Sequence, residues 1–175
     1  DQLQHLEMSR DVANRFNNVV GDTLIPPTAK IQEHTKLVPG TDGEKMSKSR
    51  NNVINIFLSD KKLRKQVMSI TTDSRSLEDP KNPDTDNVFA LYKLLASEGQ
   101  IAEMRIKYEG GNYGYGHAKQ ELYELIIDKF AIIRERYSYF MDNKNEIDKA
   151  LEVGAEKARK VASEVLQRVR SKIGY

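Results

Sequence analysis

Three observations predict a mainly α-helical chain: a helix-and-loop N-terminal piece followed by an all-helical remainder. Apolar residues recur at a period near 3.6 through most of the 175 residues, which marks one buried helix face after another. The recurrence lapses between residues 19 and 52, where Pro26, Pro27 and Pro39 alternate with Gly21, Gly40 and Gly43 and read as a long loop. An apolar fraction of 38% beside a charged fraction of 31% suits a globular, helix-leaning protein rather than a disordered one.

The first helix opens at once, with Leu3, Leu6, Val12 and Phe16, joined by Met8 and Ala13, holding an approximate helical period. The chain starts without Met and no capping residue precedes that helix, so the sequence reads as a piece of a longer protein. A short strand is expected at residues 36–38. From Val53 the pattern turns helical, with Ser59 as cap and Leu63, Val67 and Ile70 as a buried stripe. The polar run TTDSRSLEDPKNPDTDN leads to a helix capped by Asp86, in which Val88, Leu91, Leu94 and Leu95 share a face. Another short helix ends at Gly110 and Gly111. After Gly116 one long apolar face carries Leu122, Leu125, Ile126, Phe130, Ile133 and Tyr137. The tail is helical with a bend or break expected at Gly154. Beyond it Ala158, Val161, Ala162, Val165 and Val169 should face the core, with Lys157, Lys160, Arg168 and Lys172 opposite. Two domains follow: residues 1–58, and residues 59–175 with about five helices.

Cysteine is absent, which excludes disulfides and thiolate metal sites and favours a reducing compartment. No apolar run approaches the roughly 20 residues of a membrane span, and no signal peptide is expected. The net charge is only +2, but it is segregated. Residues 30–75 carry ten Lys/Arg against five Asp/Glu, whereas residues 76–100 carry two against five, a footprint that suits an anionic partner.

The sharpest feature is DGEKMSKSRNN, residues 42–52, which places Lys45, Lys48 and Arg50 together in a loop with almost nothing apolar around them. Charge alone would make this a solvated basic surface. An ammonium about 4 Å from a phosphate oxygen gains on the order of 4 kcal/mol at an effective dielectric near 20, before desolvation is subtracted. Two lysines on a loop hinged by Gly40 and Gly43 can reach different phosphates of one triphosphate. Elsewhere the bland reading is preferred. His5, one turn into the first helix, is a packed or hydrogen-bonded histidine, His34 is solvated, and His117 supports the glycine-rich turn before it. The tyrosines at 108, 113, 115, 123, 137 and 139 belong to the core or its edge. No His/Glu cluster has metal-ligand spacing, so no protein-held metal is expected.

The letters KMSKS, residues 45–49, resemble the signature loop of class I aminoacyl-tRNA synthetases. Upstream, DQLQHLEMSRD looks like the end of the Gly-x-Asp-Gln element of the tyrosyl and tryptophanyl branch. SRNNVINIF and YEGGNYGYGHAKQEL resemble bacterial tryptophanyl-tRNA synthetases. The resemblance covers essentially the whole chain in the right order. It implies that residues 1–58 are the C-terminal remnant of a class I Rossmann-like nucleotide-binding domain with its KMSKS loop. Residues 59–175 would be an all-helical anticodon-binding domain.

The implied activity is ATP-dependent activation of L-tryptophan and its ligation to tRNA(Trp), in the cytoplasm. Carried over by resemblance, Lys45 and Lys48 bind the phosphates and stabilise the pentavalent state, Met46 packs the loop down, and Ser47 and Ser49 offer hydroxyls or N–H groups. Asp1 contacts the ATP ribose and Gln2 the α-amino group of the amino acid. Mg²⁺ arrives with ATP. Arg75, in TTDSR at residues 71–75, and Lys157, Lys160 and Arg168 are the candidate tRNA contacts. Arg50 has no assignment: it contacts phosphate or caps the loop. The family's HIGH-type motif and the residues that read the amino-acid side chain are absent from the chain, so these residues alone are expected to be inactive. A homodimer is implied for the full-length protein, and the 175 residues alone could be monomeric. The rivals are a tyrosyl-tRNA synthetase, and a non-catalytic tRNA- or protein-binding helical module that kept the loop.

Overall fold

The computed structural model describes residues 2–30 and 38–175. Its helices are α1 (Leu3–Val20), α2 (Asp60–Met68), α3 (Asn87–Lys93), α4 (Glu98–Gly110), α5 (Tyr115–Lys129), α6 (Ala131–Asp142) and α7 (Lys144–Ile173), with a 3-10 turn at Pro83–Thr85. Among the described residues the one isolated β-bridge pairs Pro39 with Lys45. The chain is therefore mainly α. The strand expected at residues 36–38, like Asp1 and His34, lies outside the described residues except for Val38, whose carbonyl accepts the Met46 N–H at 2.9 Å. Residues 33–139 form one compact unit, and residues 1–32 with 140–175 form another.

The larger unit is built around one apolar cluster. The predicted stripe Leu63, Val67 and Ile70 is buried, and it meets Val88, Phe89, Leu91 and Tyr92 of α3, Met104 and Tyr108 of α4, and Leu122, Leu125 and Ile126 of α5. Helix α2 begins at Asp60, not near Val53. Ser59 does stand at its N-cap, but its side chain makes no capping bond. The segment before it turns instead of coiling, because Ile54, Ile56 and Leu58 are drawn onto the cluster individually. Asp86 caps α3 as predicted, accepting the Phe89 N–H at 2.9 Å, and the same oxygen accepts the Tyr108 hydroxyl at 2.8 Å. Helix α4 opens with a capping box between Ser97 and Gln100 and ends at Gly111. Glycine is required there: φ is +71°, and a Cβ would come 2.4 Å from the Glu78 carbonyl.

Burial gives this unit a pH limit. Tyr108, Tyr113 and Tyr115 all have hydroxyls pushed well above the ordinary phenol range. Burial is the first cause in each, reinforced by Asp86, Glu121 and Asp73 respectively. A raised folded-state pKa means stability is fully present below about pH 10 and is lost as pH climbs above it, by at most about 1.4 kcal/mol per pH unit for the fully buried Tyr108 and by less for the more accessible Tyr115. Urea unfolding between pH 9 and 11 should show this decline, and Tyr108→Phe should make it shallower.

Two expectations for the later helices are corrected. Helix α5 begins at Tyr115, before Gly116, and the long apolar face is divided at Phe130. Leu122, Leu125 and Ile126 are buried, but Ile133 and Tyr137 on α6 are 48% and 41% exposed. Polar and aromatic contacts hold α6 instead. Arg134 donates to the Ile56 carbonyl and, at 2.5 Å, to Asp60, while Tyr137 stacks on Phe57 with ring centroids 4.3 Å apart.

In the other unit α7 runs 30 residues through Gly154 without a break. A helical glycine costs only about 1 kcal/mol relative to alanine, and a Cβ at position 154 would meet nothing within 4 Å among the described residues. None of the described α7 residues is buried: Ala158, Val161 and Ala162 are exposed, and only Val165 and Val169 of the expected core face are half-buried. Asn17 organises the turn after α1, donating to the Leu24 carbonyl at 2.7 Å and accepting the Thr23 and Leu24 N–H groups. Among the described residues no helix is long and apolar enough to cross a membrane.

Candidate functional site

Residues 38–52 form a compact loop whose geometry follows from its glycines and one buried amide. The Gly40 N–H donates to the Glu44 carbonyl at 2.7 Å and the Gly43 N–H to the Gly40 carbonyl at 3.1 Å, closing a tight turn. Gly43 has φ +82°, and a Cβ there would stand 2.3 Å from Asn87 Oδ1. Gly43→Ala is therefore expected to lower stability by about 1–3 kcal/mol, measurable by denaturant unfolding. The loop is tied to the helical core at its base. The Thr71 N–H donates to the Thr41 carbonyl at 2.8 Å, and Asn87 Nδ2 donates to the Thr71 carbonyl at 2.9 Å.

Lys45 and Lys48 are both exposed, while Met46 and Ser47 are half-buried. Met46 packs against the core cluster and lines an apolar cavity of about 170 Å³ with Val38, Ile54, Leu91 and Leu95. The Ser47 and Ser49 hydroxyls are 3.2 Å apart, and Ser47 Oγ accepts the Arg50 N–H at 3.3 Å. Such a surface offers cations and hydroxyls to an anion from outside, with its apolar residue turned inward.

Arg50 finds partners within the loop: its Nη1 lies 3.9 Å from Asp42 and 3.8 Å from Glu44, both largely exposed. These distances give it a role in balancing the loop's own carboxylates, a weak one in solvent. The Asn52 amide donating to Asp42, helped by the Glu44 N–H and Arg50, holds the Asp42 carboxyl below the ordinary range.

The other predicted residues are distributed over both units. Gln2 is the exposed N-cap residue of α1, with no side-chain capping bond. His5 is exposed rather than packed. His117 is exposed too, but its ring lies 5.9 Å from that of Tyr113, against the glycine-rich turn before it. Arg75 belongs to the unit of the loop. Its Nη1 donates to the Pro80 carbonyl at 2.8 Å and its Nε lies 3.4 Å from Asp73, so much of its donor capacity is spent locally. Lys157, Lys160 and Arg168 stand on α7 in the other unit, where Arg168 Nε donates to the Thr23 carbonyl at 2.9 Å.

Sequence reasoning passed over two residues. Asn52 is 2% exposed, and Lys81 is 3% exposed with its ammonium donating to the carbonyls of Ser76, Leu77 and Asp79. An asparagine or lysine in a polar run carries no mark of burial. The one available signal was position: Asn52 immediately precedes the apolar run VINIF.

The sequence model described as tRNA synthetases class I (W and Y) matches residues 1–131. The chain belongs to this family. Among curated class I synthetases, the tryptophan–tRNA ligase of Campylobacter jejuni (strain RM1221) is 45% identical over 174 residues, covering 99% of this chain and 54% of its own length. That of Rhodopirellula baltica is 42% identical over the same number of residues, with the same shares covered. A crystal structure of the Campylobacter jejuni tryptophanyl-tRNA synthetase, complexed with ADP and tryptophan, superimposes with a TM-score of 0.86 at 44% identity. It covers 99% of this chain and 55% of that one. The chain thus spans about half the length of the synthetases it matches.

Proposed function

We propose that this chain is the C-terminal portion of a bacterial-type tryptophan–tRNA ligase, in which it supplies the phosphate-binding loop and a helical tRNA-binding domain. The observation that carries the reading is an intact KMSKS sequence on an exposed loop, in a chain matched over 99% of its length by tryptophan–tRNA ligases. Residues 1–58 then complete a class I nucleotide-binding domain and residues 59–175 bind the anticodon arm. The protein works in the cytoplasm as a homodimer.

In the first step the tryptophan carboxylate oxygen bonds to the α-phosphorus of ATP, and the bond to the bridging oxygen breaks to release pyrophosphate. In the second, a terminal ribose hydroxyl of tRNA(Trp) takes the aminoacyl group and AMP leaves. Lys45 and Lys48 carry charge to the phosphates where negative charge develops, which is the condition for accelerating chemistry rather than only binding. Ser47 and Ser49 add donors, Met46 seats the loop, Asp1 holds the ribose and Gln2 the α-amino group. Magnesium enters with the triphosphate. Within the loop, Asp42 and Glu44 are taken up by Asn52 and Arg50, and the outward chemistry suits phosphate rather than a metal ion.

Charging of tRNA(Trp) with tryptophan by the complete protein tests the reading directly; failure to charge it would overturn the proposal. For the tRNA-binding surface, replacing Lys157, Lys160 and Arg168 together by alanine should weaken tRNA binding. The slope of log affinity against log salt should become shallower by roughly 0.7–0.9 for each phosphate that is no longer neutralised. An unchanged slope would show that this face of α7 is idle.

A further inference from the structure

We infer that Asn52 is the positioning residue of the KMSKS loop: its single buried side chain sets where Lys45 and Lys48 point, without touching the nucleotide. The inference rests on reading this loop as the ATP-phosphate loop, and it names the residue that holds it in register.

Asn52 lies at the end of an exposed polar stretch, yet it is 2% exposed, and both ends of its amide are committed. Oδ1 accepts the Ser47 N–H at 2.8 Å. Nδ2 donates to Asp42 Oδ1 at 2.7 Å and to the Lys45 carbonyl at 3.1 Å. Its own carbonyl accepts the Thr41 N–H at 2.9 Å. One residue therefore ties the turn that enters the loop to the backbone on both sides of Met46. Gly40 makes room for it: a Cβ there would come 2.3 Å from Nδ2 and 2.7 Å from the Asn52 carbonyl oxygen.

The arrangement depends on an amide. With Asp at position 52, an oxygen would face both Asp42 Oδ1 and the Lys45 carbonyl, three acceptors with no proton among them. Asp42→Asn is mild by the same logic, because its Oδ1 can still accept from Asn52 and from the Glu44 N–H, and the exposed ion pair with Arg50 that it gives up is weak in solvent. In the double variant Asp42→Asn/Asn52→Asp the donor returns from the other side. The Lys45 carbonyl is left without one. In exchange the Glu44 N–H, which shares Asp42 Oδ1 with Asn52, gives up that acceptor and, in its exposed turn, is left to water.

The test is steady-state pyrophosphate exchange by the complete protein. Asn52→Asp should lower kcat/KM for ATP by about 10–100-fold, the scale of a misplaced catalytic group, with the KM for tryptophan within about twofold. Asp42→Asn alone should stay within about threefold, and adding it to Asn52→Asp should restore part of the loss. Should Asn52→Asp fail to fold, Asn52→Ala in a Lys48→Ala background decides. A residue acting through Lys45 and Lys48 adds clearly less than its full effect once Lys48 is gone, only its share through Lys45 remaining, whereas a merely structural residue adds its full effect. Unchanged ATP parameters in Asn52→Asp, or full additivity with Lys48→Ala, would overturn the inference while leaving the function of the loop intact. A wild-type protein with no tryptophan-dependent exchange would instead sink the underlying reading, and the inference with it.

Discussion

Replacing Lys48 by alanine in the complete protein is expected to lower the rate of tryptophan-dependent pyrophosphate exchange by about 100–1000-fold, the range found when one preorganised donor to developing charge is removed. The KM for tryptophan should stay within about twofold, because in the proposed function Gln2, and not the loop, holds the amino acid. Lys48 is exposed, on a loop whose backbone is fixed by bonds to Asn52, Thr71 and Val38, so its removal takes away a charge without disturbing a core. A loss confined to the KM for ATP, with the maximal rate unchanged, would reduce the loop to uniform binding of the nucleotide. An unchanged rate would remove Lys48 from the chemistry.

The largest effect on stability is expected at Asp86. One of its oxygens serves two donors, the Phe89 N–H at the start of α3 and the hydroxyl of the fully buried Tyr108. Asp86→Ala removes the cap, worth about 1 kcal/mol, and strands a buried hydroxyl, at a cost of about 1–3 kcal/mol. A total near 2–4 kcal/mol is a large part of the 5–15 kcal/mol available to a typical domain. Asp86→Asn keeps an acceptor oxygen and should lose much less. Urea unfolding of the three proteins distinguishes them, and equal midpoints would contradict the shared-acceptor account.

Much of the larger unit was legible because its signals are local. The stripe of α2, the Asp86 cap and the glycine end of α4 each depend on residues within one or two turns. The exposed charges of residues 45–50 were legible for another reason: a polar loop with almost nothing apolar in it keeps its charges in solvent. What escaped reading depends on distant partners. The division between α5 and α6 has no Gly or Pro to mark it, since it reflects Arg134 and Tyr137 meeting residues 56–60. Gly154 gave the opposite error, a breaker that breaks nothing because a helical glycine costs only about 1 kcal/mol relative to alanine. Asn52 is the most instructive. In sequence it is the second of two asparagines after a basic run, and its burial follows from Gly40, Asp42 and Ser47 folding around it. The charge pattern around Arg50 was visible, but its pairing with Asp42 and Glu44 needed the turn that brings them together.

The most direct test of the central claim is amino-acid-dependent exchange of pyrophosphate into ATP by the complete protein, with tryptophan and tyrosine offered separately. The account predicts exchange with tryptophan alone. Exchange with tyrosine alone, or with neither amino acid, would contradict it.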